Sequence, residues 1–117
     1  MMKYTKIVVA ILLLLPVFNN LQAQSKSTET IIIMTSAVCG QCKTRIEEGM
    51  AFEKGVKDVT LDVESKKVTI TYNTKKTSAE DLRKAISKLG YDADEVPADV
   101  VAYNKLPACC KKDAPKH

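Results

Sequence analysis

Four cysteines are the residues best suited to chemistry in this chain, and they fall into two close pairs, Cys39 with Cys42 and Cys109 with Cys110. A thiolate is a nucleophile, a redox centre and a soft metal ligand. The residues ahead of Cys39-Gly40-Gln41-Cys42 read as a strand and those behind as a helix, so both sulfurs are expected near a helix N-terminus. Free amides and the helix dipole favour negative charge there. Two such thiolates suit a soft cation that accepts two ligands, Cu(I) first and Hg(II) second. Zn(II) ranks behind them because a closed structural zinc site usually takes four ligands. An exposed two-thiolate site also admits a partner's thiols, so a cargo ion can move by ligand exchange.

The same dithiol fits a thioredoxin-like thiol-disulfide oxidoreductase, and a structural Cys39–Cys42 disulfide is the plainest alternative of all. Thioredoxin-like sites usually sit in a larger βαβ-based domain with an aromatic before the first cysteine. Here Val38 holds that position and the chain has no Trp, which favours metal binding. The second pair, Cys109 and Cys110, lies in a basic tail. It is expected to supply a third or fourth thiolate by folding back, to form intermolecular disulfides, or to play no part. His117 reads as a solvated terminus. The sequence carries no recognisable catalytic triad, paired carboxylates of a cleft or phosphate-binding glycine loop, so binding and delivery are expected and enzymatic activity is not.

The elements that must position these thiols are legible from periodicity. The β-branched run Ile31, Ile32, Ile33, Met34 suits a short buried strand leading into the first cysteine loop. Residues 42–53 have helical character, with Cys42, Ile46, Gly49 and Met50 on one face, and Gly55 ends the helix. Val59, Leu61 and Val63 alternate with polar residues, and Val68, Ile70 and Tyr72 repeat the pattern after a polar turn, predicting two half-buried strands. Thr77-Ser78-Ala79-Glu80 reads as a capping box for a second helix. Leu82, Ala85, Ile86 and Leu89 lie on its apolar face, and Gly90 ends it. Residues 91–96 are expected to form a weak edge strand, and one turn of helix is expected beyond Pro97, through Tyr103. Strand, helix, strand, strand, helix, strand predicts an α+β, ferredoxin-like βαββαβ sandwich, a four-stranded antiparallel sheet with both helices on one face.

Length and charge bound the remaining choices. Lys3 and Lys6 precede an apolar run over residues 7–18 and a polar stretch ending in Leu21-Gln22-Ala23, which reads as an export signal over residues 1–23. The run is shorter than the roughly 20 residues a membrane span needs. Membrane association is therefore expected only through an uncleaved leader, and the processed chain is expected outside the cytosol, in the periplasm. A spacer over residues 24–28, one domain over 29–96 and a tail over 97–117 account for the rest of the 117 residues. Setting aside Lys3 and Lys6, the chain has 16 basic and 14 acidic residues, a balance of +2. Its basic residues are interspersed and its aromatics few, which argues against nucleic acid as a partner. Lys43, Arg45, Lys75, Lys76, Lys84 and Lys88 read as solvated faces, or as charges that orient a docking partner.

From Thr30 to about Val96 the sequence resembles the heavy-metal-associated domain of copper chaperones, copper-transporting ATPases and periplasmic mercury-binding proteins. The resemblance is carried by Cys39, Cys42, Ile46, Glu47, Gly55-Val56, Val59, Leu61, Val63, the stretch Val68-Thr69-Ile70-Thr71-Tyr72, and Leu82, Ala85, Ile86 and Gly90-Tyr91. It implies that Cys39 and Cys42 are the metal ligands, that Tyr91 packs in a loop near the site, and that a metal transporter or ATPase metal-binding domain is the partner. Two features depart from the family pattern. Ala37 stands where the family usually has a methionine that packs beneath the loop, a space that Met34 and Met50 are candidates to fill. The Cys109-Cys110 tail lies outside the minimal domain.

Overall fold

The computed structural model describes residues 27–112, so the leader expected over residues 1–23 and the terminal His117 lie outside the described residues. Three strands, β1 (Thr28–Met34), β2 (Val56–Asp62) and β3 (Lys67–Asn73), form an antiparallel sheet in the order β1-β3-β2. β3 is central because both neighbours pair along it: Ile31 opposes Ile70 and Ile33 opposes Val68, while on the other side Val59 opposes Ile70 and Leu61 opposes Val68. This register puts Ile33, Leu61, Val68, Ile70 and Tyr72 on one buried face, as period-two alternation requires. The opposite face carries Ile32, Met34, Thr69 and Thr71, with Thr30 and Thr71 joined through their hydroxyls at 3.0 Å.

Helix α1 (Gly40–Ala51) lies over β2 and touches α2 (Ala79–Lys88). Cys42, Ile46 and Met50 are its buried stripe; Leu82, Ala85 and Ile86 are that of α2. Gly49 permits the close crossing, since a Cβ there would sit 2.8 Å from the Leu89 side chain. Two details differ from the sequence reading. α1 starts two residues earlier than expected, so Cys39 is its N-cap. α2 is capped by Ser78, whose Oγ accepts from the Asp81 amide at 3.2 Å, so the box is shifted by one residue from Thr77 and Glu80.

The expected fourth strand does not form. Ala93 makes only isolated bridges, to Thr35 and to Val96. Asp94, at φ 52°, turns the chain away before a ladder can extend. Asp94 instead closes the end of β1: its N–H donates to the Met34 carbonyl at 2.8 Å and its carboxylate accepts from the Met34 N–H at 2.9 Å. Arg83 holds the same carboxylate from α2, at 2.9 Å. One acidic residue thus meets the edge hydrogen bonds that a strand would have met.

Beyond this turn the chain comes back onto the domain. Helix α3 (Val100–Asn104), capped by Asp99 through the Ala102 amide at 2.9 Å, supplies the single turn expected beyond Pro97. It is anchored to the end of α2, where the Ser87 hydroxyl donates to the Pro97 carbonyl at 2.7 Å and the Asp99 amide donates to the Ser87 carbonyl at 3.0 Å. Gly90, at φ +106°, ends α2 in the left-handed conformation, and a Cβ there would lie 3.0 Å from the Ala102 carbonyl oxygen. Leu106 then enters the core, and a 3-10 turn (Ala108–Cys110) packs against α1. No helix among the described residues is long and apolar enough to cross a membrane.

Candidate metal centre

The loop after β1 delivers Cys39 to the start of α1 in extended conformation, φ −153°. As N-cap residue it faces the unpaired amides of the first helical turn, the position that a Ser or Asp oxygen usually fills. Its Sγ closes no cap hydrogen bond. Burial pushes its pKa upward, but the amides of Cys42 and Gln41 and the thiols of Cys42 and Cys110 outweigh burial and leave it below the ordinary thiol value. The thiolate therefore forms more readily at Cys39 than at an ordinary cysteine. Cys42, one helical turn on, points into the core and is fully buried. The two sulfurs are 3.4 Å apart, and none of the four cysteines is in a disulfide.

Cys110 completes the group. Its side chain is 1% exposed, its Sγ lies 4.0 Å from that of Cys39, and the sulfurs of Cys39, Cys42 and Cys110 all fall within 4.8 Å of one another. Cys109 faces the rim instead: its thiol donates to Gln41 Oε1 at 2.7 Å, while its backbone carbonyl accepts from the Cys39 thiol at 3.4 Å. Of the two expected auxiliary cysteines, the structure brings Cys110 into the sulfur cluster and leaves Cys109 beside it. Burial, and then the neighbouring Cys42 thiol, push the Cys110 pKa well above the ordinary thiol range, so Cys110 enters the cluster as a neutral thiol.

Tyr91 lies beneath these sulfurs, fully buried, with a hydroxyl that closes no hydrogen bond. Burial raises its pKa strongly, and the adjacent Cys42 and Cys110 sulfurs add to the shift. Ala37 is fully buried in the same core cluster, as is Met50. Met34 is 45% exposed and does not fill the space under the loop, because its position in β1 directs it to the open sheet face. The surface groove between α1 and β2, lined by Glu47, Ala51, Val56 and Val59, lies apart from the cysteines and offers no sulfur.

Sequence reasoning missed the role of Lys43. Its ammonium donates to the Leu61 carbonyl at 2.6 Å and pairs with Glu47 at 3.1 Å, while Glu47 accepts from the Leu61 amide at 2.8 Å. Lys43 and Glu47 together tie α1 to β2. The i,i+4 spacing was the available signal; the strand partner was not readable.

Residues 33–92 match the heavy-metal-associated domain family, just over half of the chain and including both cysteines of the first pair. The chain belongs to that family. A copper-exporting P-type ATPase of Staphylococcus saprophyticus is 33% identical over 86 residues, 74% of this chain but 11% of the ATPase. Copper-transporting ATPase 1 of Rattus norvegicus is 35% identical over 81 residues, 69% of this chain but 5% of its own length. This family member thus spans only a small fraction of those transporters. Among solved structures, a CopZ metallochaperone superposes with a TM-score of 0.53 at 26% identity, covering 56% of this chain and 98% of that one. Oxidized MerP from Ralstonia metallidurans CH34 gives 0.55 at 25% identity, covering 57% and 94%. These coverages correspond to one heavy-metal-associated domain, and the matched segment ends before Cys109 and Cys110.

Proposed function

We propose that this heavy-metal-associated protein acts outside the cytosol, where it captures Cu(I) through Cys39 and Cys42 and passes it to a metal-binding domain of a transporter by thiolate exchange. The observation that carries this reading is the pair of sulfurs 3.4 Å apart at the first turn of α1, inside the family segment. The lowered pKa of Cys39 eases thiolate formation, and soft thiolates prefer a soft monovalent or d10 cation over hard ions. The copper chaperone and copper ATPases among the relatives support Cu(I); the likeness to MerP keeps Hg(II) as the competing cargo. The periplasmic location rests on the leader over residues 1–23. The role is binding and delivery, without catalysis.

The test is anaerobic titration of the reduced chain with Cu(I), Hg(II) and Zn(II), repeated on C39S and C42S. Tight one-to-one Cu(I) binding, lost in both variants, is expected. Insulin-reducing activity without metal, together with Cu(I) binding that ignores both substitutions, would assign the dithiol to redox chemistry instead.

A further inference from the structure

We infer that Cys110 is a third ligand, so that the tail beyond the family domain closes the two-cysteine loop into a three-sulfur site for a soft d10 cation. This rests on the Cu(I)-binding reading of Cys39 and Cys42. The distances favour three sulfurs over two. With metal–sulfur bonds of about 2.3 Å, a linear two-coordinate ion needs its sulfurs about 4.6 Å apart, whereas a trigonal ion needs about 4.0 Å. Cys39 and Cys110 already stand 4.0 Å apart, and all three sulfurs lie within 4.8 Å. Cys39 and Cys42, at 3.4 Å, have to part by about half as much for a trigonal ion as for a linear one.

Cys110 is held in place by the docked tail, which is part of the core. Leu106 is buried ahead of it, and the Cys110 amide donates to the Pro107 carbonyl at 2.9 Å. Asp92 accepts from the Ala98 amide at 2.8 Å and from the Lys112 ammonium at 3.2 Å, gripping both ends of the tail. A second, independent feature points to a ligand among the sulfurs. The buried Tyr91 hydroxyl has no hydrogen-bond partner and faces Cys42 and Cys110. A buried donor without an acceptor is costly. Metal binding would exchange the Cys42 and Cys110 S–H protons, released to solvent, for metal–sulfur bonds and leave thiolates, which accept. Cys109, bonded to Gln41 on the rim, is not a ligand in this arrangement.

The tethered third sulfur competes at a high effective concentration with any thiol in solution, so it retains the ion until a partner thiolate replaces Cys110, with no change in oxidation state. The experiment is one equivalent of Cu(I) added anaerobically to the full reduced chain and to its C110S, C110A and C109S variants. Sulfur coordination is read by X-ray absorption, affinity by competition with bicinchoninate, and folding by circular dichroism. The expected result is three sulfurs in the native protein and in C109S, two in folded C110S and C110A, and at least about a tenfold loss of affinity in both Cys110 variants. Two sulfurs in the native protein, three retained after Cys110 is replaced, or a loss caused by C109S would overturn the inference while leaving the Cys39–Cys42 site intact. No Cu(I) bound by the native protein would instead overturn the proposed function itself.

Discussion

Replacing Leu106 with Ala tests whether the tail is docked without touching a sulfur. Leu106 is 5% exposed and is the one buried aliphatic side chain between α3 and the Cys109-Cys110 turn. Truncating a buried leucine costs about 2–5 kcal/mol. The sheet and the two long helices keep their own core of Ile33, Ile46, Met50, Leu61, Ile70, Leu82 and Ile86, so this cost should fall on the local docking equilibrium of the tail and not on global unfolding. At 1.4 kcal/mol per factor of ten, even about 2 kcal/mol opens the tail about 30-fold more often. The assay is site-resolved alkylation of the reduced, metal-free protein followed by mass spectrometry, since buried Cys110 reacts only when the tail lifts. In the native protein Cys110 should label far more slowly than Cys109. In L106A its rate should rise at least about 30-fold while the main urea transition stays near its native midpoint. Equal labelling of Cys109 and Cys110 in the native protein would refute the docked tail. A global loss of several kcal/mol with no selective rise at Cys110 would refute its independence from the main core.

Two further predictions concern Glu47, which ties α1 to β2, and Tyr91 beside the sulfurs. Glu47 is pushed up by burial but held below its ordinary pKa by the Leu61 amide and Lys43, so its stabilisation is complete above about pH 4.5 and is lost as pH falls through the lowered folded value. E47Q should therefore cost about 1 kcal/mol in urea denaturation at pH 7, with the gap from the native protein closing below pH 4.5; a gap constant with pH would contradict the linkage. Tyr91→Phe removes the unpartnered buried hydroxyl, so the metal-free protein should gain about 1 kcal/mol of stability, and a loss of that size would reveal a hydrogen bond that the apo fold depends on.

Regular elements were legible in the sequence because their signals are repetitive. Ile33, Val68, Ile70 and Leu61 recur with period two, and Leu82, Ala85 and Ile86 with the helical period, so the sheet face and the α2 stripe followed directly. Cys39 and Cys42 were legible because a strand-to-helix junction fixes where both sulfurs lie. The fourth strand was overread because Tyr91 and Ala93, both buried, imitate alternation. What defeats it is a single backbone torsion at Asp94 and a carboxylate that takes the strand's hydrogen bonds. The tail was left open for the opposite reason: it has no period at all. Its docking rests on isolated residues, Leu106, Cys110 and the hydrogen bonds of Ser87 and Asp92, which form no repeating pattern.

That irregularity bears on how metal would leave. A two-sulfur site on the open end of the domain lets an incoming thiolate attack from the solvent side, so the rate of transfer is set mainly by encounter with the partner. Here Cys39, still partly exposed, has Cys110 Sγ and the Cys109 carbonyl beside it at 4.0 and 3.4 Å. If Cys110 is a ligand as inferred, a partner thiolate would have to displace the tail, which is held by contacts that involve no sulfur, Leu106 in the core and Lys112 on Asp92. On that reading, transfer to a partner and loss to small thiols are both governed by the tail, whereas capture is not. Weakening the tail at Leu106 should speed Cu(I) transfer to a receiving domain and also speed its loss to glutathione, whereas a change to Cys39 or Cys42 should abolish capture itself.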